Sequence, residues 1–130
     1  MKQDLPGACT LTVMRQPQSS YVVVSFVGEV DVSSVSQVRT SMREMFVEGD
    51  VHLLLDLSGV TFMDSAGLGL LVGIRRQARM FRGSLAVVAP SRPVRRIFEL
   101  TALDKVFHLY ATLEEARAQG VHGQLDAAHG

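Results

Sequence analysis

Cysteine is nearly missing from this chain: Cys9 is the only one in 130 residues. A lone thiol rules out an internal disulfide framework and a cysteine-based zinc cluster, and it suits a reducing compartment such as the cytosol. Surplus charge is missing too. Thirteen basic and thirteen acidic residues cancel, so no overall field draws the protein onto nucleic acid or an anionic membrane, and any partner must be recognised locally. No apolar run approaches the roughly 18 residues of a membrane span, and the opening "MKQDLPGACT" lacks the apolar centre of a secretion signal. Phosphate-cradling glycine motifs are absent: there is no G-x-x-x-x-G-K-[ST], and no G-x-G-x-x-G follows a strand-like segment. No cofactor or metal is implied. What is present, 47% hydrophobic residues, suffices for one core, and one soluble cytoplasmic domain is expected.

Two β-branched runs, Ala8 to Met14 and Tyr21 to Gly28, flank a turn-rich "RQPQSS" and predict a hairpin. The period then changes. Val35, Val38, Met42, Met45 and Phe46 recur at helical spacing, Ser34 with Gln37 resembles a capping box, and Gly49 closes the helix. "VHLLLDLSGV" and "SLAVVAP" are too continuously apolar for strands with one wet face and suit parallel strands covered on both sides. A second helix runs between them, from about Ser65 to Arg82. Ser91 and Pro93 open a third, with Val94, Ile97 and Phe98 on one face; "KVFHLY" is a short strand. Thr112 with Glu115 caps a last helix that ends at Gly120. A hairpin followed by regular helix–strand alternation predicts an α/β fold with a largely parallel sheet. Strands added in one direction would place all the helices on one face.

Asp64 and Ser65 stand side by side where a strand hands over to the second helix. Either residue type is a good N-cap, because its side-chain oxygen can accept from an orphan N–H of the first turn. Two polar residues exceed that need, and Gly67 and Gly69 leave the backbone open to close approach. A nucleophilic serine is disfavoured: Met63 replaces the first glycine of G-x-S-x-G, and neither His52, His108, His122 nor His129 has a context that would activate Ser65. The remaining chemistry is that Ser65 is the substrate of another protein's kinase. A helix N-terminus, electropositive and rich in N–H donors, can hold the phosphate.

"LLLDLSGVTFMDSAGLGLLVG" is similar to the signature of the STAS-domain anti-sigma factor antagonists, in which D-S-[ST or A]-G-L-G opens the second core helix. "GEVD" (Gly28 to Asp31) matches that family's G-E-[LIV]-D, and "SRPVRRIFELTALDKVF" resembles its third helix and following turn; the likeness spans about Ala8 to Ala118. The resemblance implies a STAS fold: a mixed, mostly parallel sheet of about five strands with four helices mainly on one face. Residues 1–119 would form the domain and 120–130 a mobile tail. It further implies a binding module rather than an enzyme. The unphosphorylated form takes an anti-sigma factor away from a sigma factor, and an anti-sigma factor that is an ATP- and magnesium-dependent serine kinase ends the attraction by phosphorylating Ser65. Ala66 departs from relatives with a second hydroxyl there and leaves Ser65 as the defined acceptor. A STAS accessory or scaffold subunit, binding another protein without modification, is the alternative.

Partner contacts are expected from Asp64, Ala66 and Gly67 beside Ser65, and from Glu29 and Asp31 at the neighbouring strand end. Leu68, Val72 and Arg75 would add an exposed apolar flank with a basic edge, while Gly67, Leu70, Leu71, Ile74, Ala78 and Phe81 form the core stripe. Arg92, Arg95 and Arg96 read as a solvated face, Asp56 as the holder of a turn closing its strand, and Cys9 as a small apolar strand residue.

Overall fold

A computed structural model describes residues 2–4, 9–15, 21–89 and 91–119. The expected hairpin turn, the tail beyond residue 119, His122 and His129 lie outside them. Three antiparallel strands come first: β1 (Lys2–Asp4), β2 (Cys9–Arg15) and β3 (Val22–Val30). Helices and parallel strands then alternate: α1 (Val35–Val47), β4 (His52–Met63), α2 (Ser65–Met80), β5 (Ser84–Val88), α3 (Arg92–Leu100), a 3-10 turn at Leu103–Lys105, β6 (His108–Tyr110) and α4 (Leu113–Gln119). The strands lie in the order β1-β2-β3-β4-β5-β6. This is the mixed, mostly parallel sheet expected, with β1 as an added edge strand. Its polar sequence, Lys-Gln-Asp, carries no apolar alternation that could have revealed it.

Each crossover adds its strand in the same direction, so α1, α2 and α3 share one face. Their buried side chains, among them Val38, Met42, Phe46, Leu71, Ile74, Val94 and Phe98, pack with Val24, Phe26, Leu55, Leu57 and Val87 of the sheet. The fourth helix departs from the expectation that all would share this face. Ala116 and Leu113 pack with Val23, Leu54, Ala86 and Val88 on the opposite side. Among the described residues no strand follows α4 in the sheet, so no crossover there constrains its side, and the apolar back of β4 and β5 draws it over. Leu53, Leu54 and Leu55 are consequently all buried at 0% exposure, each stabilising the fold by about 2 kcal/mol.

Local signals were met unevenly. Gly49, at φ +101°, closes α1. Thr112 Oγ1 accepts from the Glu115 N–H at 3.1 Å, and Glu115 Oε1 accepts from the Ala111 N–H at 3.0 Å, a capping box shifted by one residue on its return arm. The capping box at Ser34 and Gln37 does not form. Ser34 is fully buried; its hydroxyl accepts from the Asp31 N–H at 3.2 Å and faces the carbonyls of Glu29 and Asp31. It is spent on fastening the end of β3. Asp56 does not close its strand, because β4 runs on to Met63. The register between β3 and β4 shifts twice, between Ser25 and Val27 and between Gly28 and Glu29, so β4 bulges. Asp56 Oδ1 accepts from the Ser58 N–H at 3.0 Å at the first bulge, satisfying a donor beside the interrupted ladder. Gly28, at φ +107°, sits at the second.

Candidate functional site at the start of the second helix

Parallel pairing sets Glu29 beside Phe62 and Val30 beside Met63, so Asp31 and Asp64 leave the sheet at one rim. Asp64 is extended, with φ −106° and ψ −172°, and its Oδ1 accepts from the Gly67 N–H at 3.0 Å. It is the N-cap of α2. Ser65 therefore occupies the first helical position, where it is exposed and its hydroxyl makes no hydrogen bond with any described residue. The sequence offered two candidates for one cap, and the structure gives the cap to Asp64. A 16-residue helix directs its positive end at this position, so an added anion can be held without rearranging the fold. Asp64→Ala is expected to lower stability by about 1 kcal/mol in urea unfolding, while Asp64→Asn, an equally good cap, changes it by a few tenths.

Gly67 takes its expected place in the core stripe rather than as an open contact, and Leu68 does not take the exposed place expected of it. A Cβ on Gly67 would strike the Val30 carbonyl oxygen and come within 2.8 Å of Met63 Cγ. The missing side chain serves the protein's own packing, with α2 set directly on the end of β3. Gly69 is the open position, exposed and with nothing within 4 Å of a Cβ. Leu68 is 8% exposed and lies in the core, beside Gly67, where α2 starts in close contact with the ends of β3 and β4. Ala66 and Val72 are half-buried against the same core, so the expected apolar flank is mostly internal. Arg75 is half-buried on that flank. Phe81, expected in the core stripe, is 43% exposed and stacks on Phe46 at 5.6 Å between ring centroids.

What surrounds Ser65 is acidic and partly apolar. Glu29 is exposed. Asp31 is half-buried, its Oδ1 accepting from the Ser33 N–H at 3.0 Å and the Ser33 hydroxyl at 2.6 Å. Val32 is 76% and Phe62 50% exposed at the same rim. Sequence reading missed both, since the bulges that turn Phe62 outward leave no trace in hydrophobic periodicity. Behind the rim Cys9 pairs with Gly28 and is buried; burial, and next the charge of Asp31, push its thiol pKa up. The thiol stays protonated at neutral pH and is a poor nucleophile.

Ser65 has no histidine within reach among the described residues. His52 begins β4, twelve strand residues before the site, a span on the order of 35 Å. Its Nδ1 lies 2.9 Å from Ser84 Oγ. His108 pairs with Ala86 on β6, level with Leu54 rather than with the rim. Among the described residues no helix is long and apolar enough to cross a membrane.

The chain as a whole is similar to known proteins. The anti-sigma-F factor antagonist RsfB of Mycobacterium tuberculosis is 30% identical over 121 residues, covering 93% of this chain and 97% of that protein. The crystal structure of an anti-sigma factor antagonist from Mycobacterium paratuberculosis aligns with a TM-score of 0.76 at 29% identity, over 91% of this chain and 98% of that one. The Bacillus cell fate determinant SpoIIAA in its phosphorylated form aligns with a TM-score of 0.63 at 26% identity, over 84% and 97% of the two chains. Residues 12–116 match the profile of the STAS domain, and with the sheet, helices and rim arranged as described, the chain belongs to the STAS domain family.

Proposed function

We propose that this chain is an anti-sigma factor antagonist, that its unphosphorylated form binds an anti-sigma factor and frees a sigma factor, and that phosphorylation of Ser65 ends the binding. One observation carries the reading. The Ser65 hydroxyl is exposed, unbonded and held at the positive end of α2, one residue beyond a cap that fixes the backbone around it. The existence of a phosphorylated form of the similar Bacillus protein supports it. The anti-sigma factor, acting as a serine kinase, supplies ATP, magnesium and the base. The Ser65 oxygen attacks the γ-phosphorus, its proton passes to that base, and ADP leaves.

In this reading Glu29, Asp31, Asp64 and the exposed Val32 and Phe62 form the contact surface around Ser65, with Ala66 and Arg75 at its margin. Incubation with the cognate anti-sigma factor and magnesium-ATP, followed by intact-mass measurement, is expected to add one phosphate to the wild type and none to Ser65→Ala. A stable complex with no phosphate transfer would replace this function with that of an unmodified STAS scaffold subunit.

A further inference from the structure

We infer that the groove between α1 and α2 is a second docking surface, one that takes an acidic, partly apolar helix of a partner protein. It is independent of the Ser65 reading. The groove has a volume of about 240 Å³; Leu70, Gly73 and Ile74 line it on the apolar side, and Arg39, Arg43 and Arg76 form its edge. No carboxylate of a described residue lines it. All three arginines are exposed, and none is ion-paired with a described residue. Arg39 and Arg43 are four residues apart on one helix, a like-charge spacing that weakens the helix unless an anion intervenes. Three cations thus converge with no ion-pair partner among the described residues.

Gly73 adds a second indication. It sits inside α2, where glycine is inferior to alanine, and a Cβ there would meet nothing within 4 Å. Its own chain gives no packing reason for a bare position, whereas a second backbone lying close above it would. At about 240 Å³ the groove falls below the roughly 300–1,000 Å³ of ligand pockets and admits one or two anchoring side chains. An apolar floor with a cationic edge matches a helix bearing leucine-like anchors flanked by carboxylates. Nucleic acid would leave that floor unused. The groove lies along α2, its Gly73 about 12 Å from Ser65, eight residues at the helical rise.

The test uses the full chain and a fluorescent amphipathic peptide of about 18 residues, five helical turns, with a leucine stripe flanked by glutamates. A control peptide carries lysine at every glutamate position. Fluorescence anisotropy is expected to show the glutamate peptide binding with Kd below about 100 µM and the lysine peptide not binding. Arg43→Glu with Arg76→Glu should weaken binding at least about tenfold. Gly73→Gln should weaken it comparably while raising Tm by about 2–4 °C, since glutamine outranks glycine in a helix. Ser65→Asp should leave peptide affinity unchanged, which separates this surface from the phosphorylation switch. Three results would each overturn the inference: equal affinity for the two peptides or none for either, unaltered binding by Gly73→Gln, or equal competition by a single-stranded oligonucleotide of matched charge.

Discussion

Ser65→Asp is expected to weaken binding of the cognate anti-sigma factor by about 100-fold, or about 2.7 kcal/mol, with Tm displaced by less than about 2 °C. The two readouts separate because the charge acts across an interface. Within the domain a carboxylate at the first helical position meets the positive end of α2 and exposed N–H donors, which tolerate it. Across the interface, in the proposed function, it meets a kinase partner that would place a nucleotide's phosphates next to the Ser65 oxygen. Like charges about 4 Å apart near a protein surface repel by up to roughly 4 kcal/mol, and desolvation adds to that. Loss of affinity should therefore be greater with the nucleotide-loaded partner than with the empty one. Isothermal titration in both states measures the difference; equal weakening in both would remove the electrostatic mechanism.

The second large effect concerns two glycines two residues apart. Gly67→Ala is expected to destabilise the fold by about 2–3 kcal/mol, since its methyl group must displace either the Val30 carbonyl or the helix start. Gly69→Ala is expected to stabilise it by about 0.5–1 kcal/mol, because nothing surrounds its Cβ and alanine is the better helix former. Chemical denaturation of both variants should therefore give shifts of opposite sign. A shift of the same sign in both would mean that α2 does not sit on the end of β3 as described. Gly67→Ala should also reduce Ser65 phosphorylation, because the same displacement moves the acceptor.

Much of this was legible in the residues. The helical recurrence of Val35, Val38, Met42, Met45 and Phe46 located α1, and three consecutive leucines in β4 declared a strand buried on both faces. Asp64 and Ser65 were identifiable as candidates for the cap of α2 because capping chemistry is local, and the structure gives the cap to Asp64. The misses at α2 and α4 depend on contacts distant in sequence, and the one at Ser34 on a competing local partner. Leu68 and Gly67 are fixed by the end of β3, more than thirty residues earlier, and no helical period within α2 contains that information. Ser34 looks like a cap by spacing but is claimed by the carbonyls of the preceding strand end. The side taken by α4 follows from which sheet face was left apolar, a property of four strands together.

From Ser25 to Val30 β3 takes five steps, while its neighbour takes seven from Asp56 to Met63. Those surplus units make the segment a spacer whose length, more than its composition, determines where the Ser65 hydroxyl points. Leu57, Val60 and Met63 all face one core although each is three residues from the next, so the bulges interrupt the alternation, and losing one unit would turn Met63 out of that core and displace the head of α2. Swapping residues in this stretch adjusts the rim by degrees; changing their count dismantles it.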